Sequence, residues 1–372
     1  MNYDVVRYRP ELRPGVIALY RHLISDDPVL NDCYFRWKHE TNPYVDEPHV
    51  YVALCEGEVV GMRGFQGARW HLGNSGVRAS WLLACDLAVD PAHRRKKLFY
   101  RIMQFALADL MKRGFESTLS WSANPITYSA SLRSGWRLVG PYATWEIRTK
   151  RAARARKMGH HLSTWPIAWR LAGVPAALAL HRGFGALDAA WSKAPASKCL
   201  SIARASEPEA MSELVARVGT RSIQHVRDAA YYEWRYRNPS CDYRFISWKE
   251  QRLEGFMVLQ LARLGNAADI RIIDWQASEP EILEKMLSRV ARTGGFDMLS
   301  IWTATLSEGF TKSLHSLGFR QKDESNGTPH YRPGLLAFGT AGADDLKPGA
   351  DGADMFSSLG KWDLRMAYSD AF

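Results

Sequence analysis

The sequence predicts a mixed α/β fold of the α+β kind, built twice along one chain of 372 residues. Three observations carry that expectation. The segment Tyr34-Phe35-Arg36-Trp37-Lys38-His39-Glu40-Thr41-Asn42-Pro43 returns as Tyr232-Glu233-Trp234-Arg235-Tyr236-Arg237-Asn238-Pro239, keeping the order aromatic, Trp, basic, Asn-Pro. Each copy is followed by two strand-like runs joined by a turn. Each half then runs strand, amphipathic helix, strand and short helix, and ends in a Gly-aromatic pair, which is the pattern of a mixed sheet flanked by helices.

Taken in order, Val5 to Tyr8 reads as a strand and Val16 to Ile24 as a helix, matched later by Ser201 to Ala203 and Pro208 to Val218. Val50 to Cys55 turns through Glu56-Gly57-Glu58 into Val59 to Phe65, and Phe245 to Trp248 turns before Leu253 to Leu261. Leu82 to Val89 is an apolar strand, and the helix after it places Leu98, Phe99, Ile102, Met103, Ala106, Leu110 and Met111 on one stripe, with Gly114 at its C-terminus. Their counterparts are Ile270 to Trp275 and the stripe Ile282, Leu283, Met286, Leu287 and Val290. The strands Ser117 to Trp121 and Met298 to Trp302 follow, then the pairs Gly135-Trp136 and Gly318-Phe319. The repeat divides the chain into a domain at 1–147, a linker at 148–199, a second domain at 200–338, and a tail at 339–372 whose Gly, Ala and Asp content gives way to Trp362, Tyr368 and Phe372.

With 46% hydrophobic and 24% charged residues, composition excludes wholesale disorder and a polytopic membrane protein. The five cysteines are scattered without C-x-x-C spacing, which argues against a disulfide framework and a structural zinc site; His160-His161 also lacks partner ligands, so no metal is expected. The N-terminus lacks the basic and apolar regions of a secretory signal, and the expected location is cytoplasmic. The net charge of +10 is not spread evenly. Residues 148–199 hold ten Lys or Arg against Asp188 alone, leaving 39 basic and 38 acidic residues elsewhere. This points away from specific nucleic-acid binding by the folded halves. The basic, Trp- and Leu-bearing stretch 148–182 is a solvated helical connector or a peripheral contact with an anionic membrane surface.

The sharpest local signal is Cys85-Asp86-Leu87-Ala88-Val89-Asp90-Pro91-Ala92-His93-Arg94-Arg95-Lys96-Lys97-Leu98-Phe99, a strand and a basic loop opening directly into a helix. Free amides at a helix N-terminus, flanked by four cations, suit a pyrophosphate. The run resembles the acyl-CoA-binding motif of the GNAT superfamily of N-acetyltransferases, with Val89, Pro91, Arg94 and the position of Phe99 matching; Lys97 stands where that family usually has glycine. A second family block is matched in part by Asn124, Thr127 and Gly135-Trp136. The resemblance extends over both halves and implies a tandem pair of GNAT-like domains. Only the first would be cofactor-competent, because the second half carries Ser278-Glu279-Pro280-Glu281 where phosphate needs cations.

By that resemblance, acetyl-CoA or another acyl-CoA would contact Leu87, Ala88, Val89, Arg94, Arg95, Lys96, Lys97, Leu98, Phe99 and Asn124. Tyr128 would protonate the leaving thiolate, unless it is a packed tyrosine. Asp86 is either a catalytic group or, because Asp274 occupies the matching place, a shared structural one; strand alternation sets it on the face opposite Cys85, Leu87 and Val89. His39 and Glu40 are candidates to deprotonate an amine, or surface residues, and Trp37 and Trp234 are expected core anchors. The implied activity is transfer of an acyl group to a small-molecule or carbohydrate amine. An amino sugar of a polysaccharide or cell-envelope precursor would be such an acceptor, and the arrangement is similar to acyltransferases of that biosynthesis. Two other readings stay open: a transferase drawing its donor from aminoacyl-tRNA, and a non-catalytic binding module.

Overall fold

The structure, a computed structural model, describes residues 2–73, 77–122, 125–149, 184–262, 269–302, 306–322, 333–339 and 359–369. The chain begins with β1 (Tyr3–Arg7), α1 (Arg13–Leu19) and α2 (Pro28–Phe35), which runs on as one π-helical turn over Arg36–Glu40. A meander follows: β2 (His49–Cys55), β3 (Glu58–Leu72) and β4 (Arg78–Val89). Next come α3 (Leu98–Lys112), β5 (Ser117–Ser122), α4 (Pro125–Arg133), β6 (Arg137–Pro141) and β7 (Thr144–Arg148). After the described chain resumes, α5 (Gly185–Lys193), β8 (Leu200–Ala203), α6 (Pro208–Val218), β9 (Ile223–His225) and α7 (Ala229–Arg235) lead into β10 (Cys241–Lys249), β11 (Leu253–Ala262) and β12 (Asp269–Ala277). The last elements are α8 (Pro280–Thr293), β13 (Met298–Trp302), α9 (Glu308–Ser316), β14 (Arg320–Gln321) and β15 (Gly334–Gly339).

Local chemistry explains the main elements. Glu56 and Gly57 both have positive φ, 53° and 87°, as a two-residue hairpin between twisted strands demands. In α3 the buried stripe is Leu98, Ile102, Met103, Ala106, Leu107 and Leu110; Met111, expected there, is 46% exposed, and Leu107 takes its place. Gly114 ends that helix at φ 86°, and Phe115 donates its amide back to the Leu110 carbonyl. Both Gly-aromatic pairs behave alike: Gly135 and Gly318 have φ 89°, while Trp136 and Phe319 are buried.

The residues group into two compact units. The first comprises 1–142, 219–240 and 323–372, and the second 143–218 and 241–322. The first holds a mixed sheet in the order β1-β2-β3-β4-β5-β15-β6, with β9 paired to β3; the second holds β14-β7-β13-β12-β11-β10-β8. Two mixed sheets flanked by helices are as the sequence predicts, but the units cut across the linear boundaries at 147 and 200. Strand β15 lies between β5 and β6, where Leu335 and Leu336 are fully buried, and β7 lies against β13 in the second sheet. Within the first unit α3 packs on one face of its sheet with Tyr51, Ala53, Phe65, Leu82 and Ala84. The second unit centres on Met257, Leu259, Ile270, Ile272, Leu287 and Ile301.

The segment 219–240, expected in the second domain, joins the first unit because its tryptophan has a partner there. Trp37 and Trp234 stack with centroids 5.4 Å apart and planes inclined by 15°. Each indole N–H donates to the other residue's carbonyl, at 2.8 and 2.7 Å. The end of the tail also docks: Trp362 is buried edge-on to Trp70, and Arg235 Nε donates to the Ala367 carbonyl at 2.7 Å. Among the described residues no helix is long and apolar enough to cross a membrane. The stretch 150–182 lies outside them, as does Asn124.

Two histidines of this unit make it acid-sensitive. His225, enclosed by Tyr44, Trp70, Tyr231 and Tyr368, is pushed down to about 4 by burial; His49 is brought to about 4 by burial and the neighbouring Arg113 guanidinium. Both pKa values lie below the ordinary 6.5. The unfolded chain therefore binds more protons than the fold between pH 6.5 and 4, and the stability they contribute is lost as pH falls through that window. Thermal melts should show the midpoint falling from pH 6.5 to 4.5 in wild type, and falling less in His225→Phe; a flat profile would contradict the burial argument.

Candidate active site

Strand β4 organises the site. It pairs in parallel with β5 only at Leu82–Thr118 and Leu83–Leu119, whereas β15 lines the opposite edge of β5 along its whole length; past Leu83 the β4–β5 pairing stops, which opens a wedge between the two strands. Opposite β3, the ladder jumps from Gly64–Cys85 to Met62–Ala88, leaving Asp86 and Leu87 facing Arg63 alone. This is a β-bulge, and Asp86 holds it with φ 46°, in the left-handed region. The bulge breaks strand alternation. Asp86 is therefore not on the face opposite Cys85, as period two predicts: the ligand atoms of Cys85, Asp86 and His39 lie within 4.8 Å of one another.

The bulged carboxylate is the hub of a buried polar cluster. Lys38 Nζ donates to Asp86 Oδ1 at 2.8 Å and to Tyr34 Oη at 3.0 Å; His39 Nε2 and Tyr20 Oη meet Oδ2 at 2.8 and 2.9 Å. Lys38 has no exposed surface and His39 has 2%. The reason three consecutive residues, Trp37, Lys38 and His39, are all buried is the π-helical turn, whose extra residue alters the facing an α-helix would give them. Gly64 makes room, since a Cβ there would stand 2.9 Å from His39 Cε1 and 3.3 Å from Cys85 Sγ.

Burial by itself would raise the Asp86 pKa, but the Lys38 charge and the His39 and Lys38 hydrogen bonds outweigh it and hold the carboxyl below its usual range. For His39, burial outweighs the attraction of Asp86 and lowers the pKa. The imidazole is thus neutral, with Nε2–H donating to Asp86 and Nδ1 buried without a hydrogen-bond partner among the described residues. Although His39, Cys85 and Asp86 have the spacing of a metal-ligand set, the Lys38 ammonium already supplies the cation that this carboxylate needs. With three donors, Asp86 is a poor base and a strong anchor.

The basic loop follows the bulge by four residues. Asp90 accepts from the Ala92 amide and Arg94 Nε donates to the Val89 carbonyl at 3.2 Å, which fixes the loop on its strand. Arg95 and Lys97 have φ 62° and 58°, and Lys97 is the residue that opens α3. The position where the resembling family has glycine is thus one that requires positive φ, and lysine adopts it here. Arg94, Arg95, Lys96 and Lys97 are exposed and make no ion pair among the described residues. Leu98 is buried and Phe99 half-buried against the α3 core. Leu87 and Val89 border the wedge half-buried, with Ala88 buried between them.

The remaining expected site residues lie outside the Asp86 cluster. Glu40 is exposed and ion-paired with Arg13, which also holds Asp32, so it does not join the Asp86 cluster. His39, by contrast, is no surface residue. Tyr128 is half-buried on α4, packed on the α3 core. Lys38, Tyr20 and Tyr34 escaped the sequence reading; the signal that could have found them is an aspartate inside the apolar run Leu82 to Val89, which needs buried donors. In the second unit, Asp274 is fully buried, and its carboxylate accepts from the Trp275 amide at 2.8 Å. Its strand also carries a register shift, between Val258–Asp274 and Leu259–Ile272. Helix α8 opens on exposed Glu279 and Glu281.

Residues 24–139 match the acetyltransferase (GNAT) domain family. That stretch contains the wedge, the bulge, the basic loop and α4. Among solved structures, the chain is similar to a conserved protein of Enterococcus faecalis described as a probable N-acyltransferase, at 13% identity and a TM-score of 0.55, covering 91% of this chain and 72% of that one. It is also similar to GCN5-related N-acetyltransferases from Anabaena variabilis (11% identity, 90% and 72% covered, TM-score 0.56) and Kribbella flavida (13%, 90% and 71%, 0.52). At these identities the likeness shows a GNAT-like fold. No curated protein matches the chain.

Proposed function

We propose that the protein is an acyl-CoA-dependent N-acyltransferase whose first unit holds the donor. The observation that carries this reading is the wedge beside the β4 bulge, followed within ten residues by a cationic loop at the head of a 15-residue helix. The first amides of α3 have no intrahelical acceptor, and with Arg94 to Lys97 around them they suit the pyrophosphate of CoA. When bound, acyl-CoA supplies the activated thioester carbonyl. Backbone amides near Leu87 and Val89 orient it from the unpaired edge of β4. An acceptor amine attacks the carbonyl carbon, a base or ordered water takes the amine proton, the carbon–sulfur bond breaks, and Tyr128 donates its proton to the departing sulfur and is reprotonated from solvent. An amino sugar of an envelope precursor is the acceptor class we favour, with residues 148–182 holding the protein near an anionic membrane. In this reading the two sheets descend from a tandem duplication, and Glu279 and Glu281 disable the second cofactor loop.

Calorimetric titration with acetyl-CoA tests the assignment. Wild type should bind, Arg94→Glu should lose at least about tenfold in affinity, a cost of about 1.4 kcal/mol, and Glu279→Lys should change nothing. Lys97→Gly should bind at least as tightly, because glycine takes positive φ without penalty and opens the backbone to phosphate. Equal sensitivity of the two loops would remove the distinction between a donor-binding unit and a second, cofactor-free one.

A further inference from the structure

We propose that Lys38, Asp86 and His39 form a buried positioning network that fixes the β4 bulge and, through it, the backbone amides that face the thioester. This inference rests on the acyl-CoA reading above and adds to it a device that sets the geometry of the donor carbonyl.

Four unfavourable features meet at one strand position. Asp86 is a non-glycine residue at φ 46° inside a strand. A full ion pair, Lys38 with Asp86, is withdrawn from water, with side chains 0% and 5% exposed. The helix that brings Lys38 and His39 in does so through a π-turn. His39 Nδ1 is buried with no hydrogen-bond partner among the described residues. Apolar side chains of the same volume would serve stability as well as a buried ion pair does. Strain and buried charge concentrated in this way mark positions held for geometry.

The geometry they hold is specific. Donors from two separate segments, Tyr20 after α1 and the pair Lys38 and His39 on the π-turn, converge on one carboxylate. The carboxylate belongs to the bulge itself, and the next residues, Leu87 to Val89, lie beyond the last pairing of β4 with β5. Nothing from β5 holds this edge, so its orientation depends on the other side of the strand, where the network ties it to the helical layer. Gly64 belongs to the same design, since any Cβ there would displace the His39 ring from Asp86.

The test needs no knowledge of the acceptor. Acetyl-CoA labelled with carbon-13 at the thioester carbonyl is bound to the protein, and the carbonyl resonance is compared with that of free acetyl-CoA. Affinity for CoA is measured in parallel. In wild type the bound resonance should move downfield, as a carbonyl polarised by amide donors does. In Lys38→Met/Asp86→Asn, and in His39→Leu, the displacement should fall by more than about half while CoA affinity stays within about threefold. His39→Gln, which keeps a donor near the Nε2 position, should restore it, and Tyr20→Phe, the mildest change, should give an intermediate value. A displacement unchanged in the double variant and in His39→Leu overturns the positioning role, as does a parallel loss of CoA affinity, which makes the network merely structural. Wild type that binds acetyl-CoA without any displacement overturns this inference alone. Wild type that binds no acetyl-CoA overturns the donor assignment, and this inference with it.

Discussion

Replacing Lys38 alone with Met should destabilise the protein by about 3–5 kcal/mol, because it leaves the Asp86 carboxylate buried without its counter-charge. A domain is typically stable by only about 5–15 kcal/mol, so the loss should be visible as a large drop in the urea midpoint. Adding Asp86→Asn should recover most of it: the pair is then neutral on both sides, and the amide still accepts from Tyr20 and His39. The contribution of Asp86 has a defined pH dependence. Its folded pKa lies below the ordinary carboxylate value, so the stability it supplies is complete above that ordinary value and lost as pH falls through the folded one. In Lys38→Met burial is the dominant influence left on Asp86 and raises its pKa, so the variant regains stability as the carboxyl takes up a proton; the gap to wild type should be widest at and above neutrality and narrow as pH falls toward the ordinary carboxylate value. A double variant no more stable than Lys38→Met would mean that the ion pair is not what holds these residues inside.

The parts of the fold written in local chemistry were legible from the sequence. Glu56-Gly57 demanded a hairpin, the stripe from Leu98 to Leu110 demanded an amphipathic helix, and Gly135-Trp136 and Gly318-Phe319 demanded a left-handed stop followed by a buried ring. Which sheet a strand joins is another matter. Strands β7 and β15 are both short, and nothing in Thr144 to Arg148 says that the partner is β13, because backbone ladders are indifferent to sequence.

The site was legible in its loop and obscure in its centre. Arg94 to Lys97 announced themselves as cations before a helix, and the left-handed backbone at Lys97 fits the place where glycine is otherwise found. The Asp86 cluster depends on two departures from regular geometry, the bulge and the π-turn, neither of which leaves a periodic signature. A reader applying period two to β4 turns Asp86 away from Cys85, and one treating Lys38-His39-Glu40 as a loop puts all three at the surface. Only Glu40 is there. The burial of Lys38 follows once Asp86 is inside, because an unpaired carboxylate in an apolar strand costs more than the lysine that neutralises it.

Trp37→Ala and Trp234→Ala should each cost about 3–5 kcal/mol, as large-to-small changes at buried aromatic positions do. The double variant should cost clearly less than their sum. The two indoles face each other at 5.4 Å, and each N–H donates to the partner residue's carbonyl. Removing one ring deletes the stack, leaves the other indole beside a cavity and frees one carbonyl, so the second removal finds much of the interaction already gone. Contacting residues of this kind show interaction energies of about 0.5–3 kcal/mol. Reciprocity puts this pair toward the upper end of that range, and the Arg235 guanidinium, 5.7 Å from the Trp37 ring, adds to what Trp37 alone loses. Urea unfolding of the four proteins closes the cycle. Additive losses would show that the tryptophans are independent core residues, and the repeated Trp motif would then have no structural meaning as a pair. A coupling of about 1.5 kcal/mol or more would instead show that residues 219–240 are held in the first unit by the motif the chain carries twice.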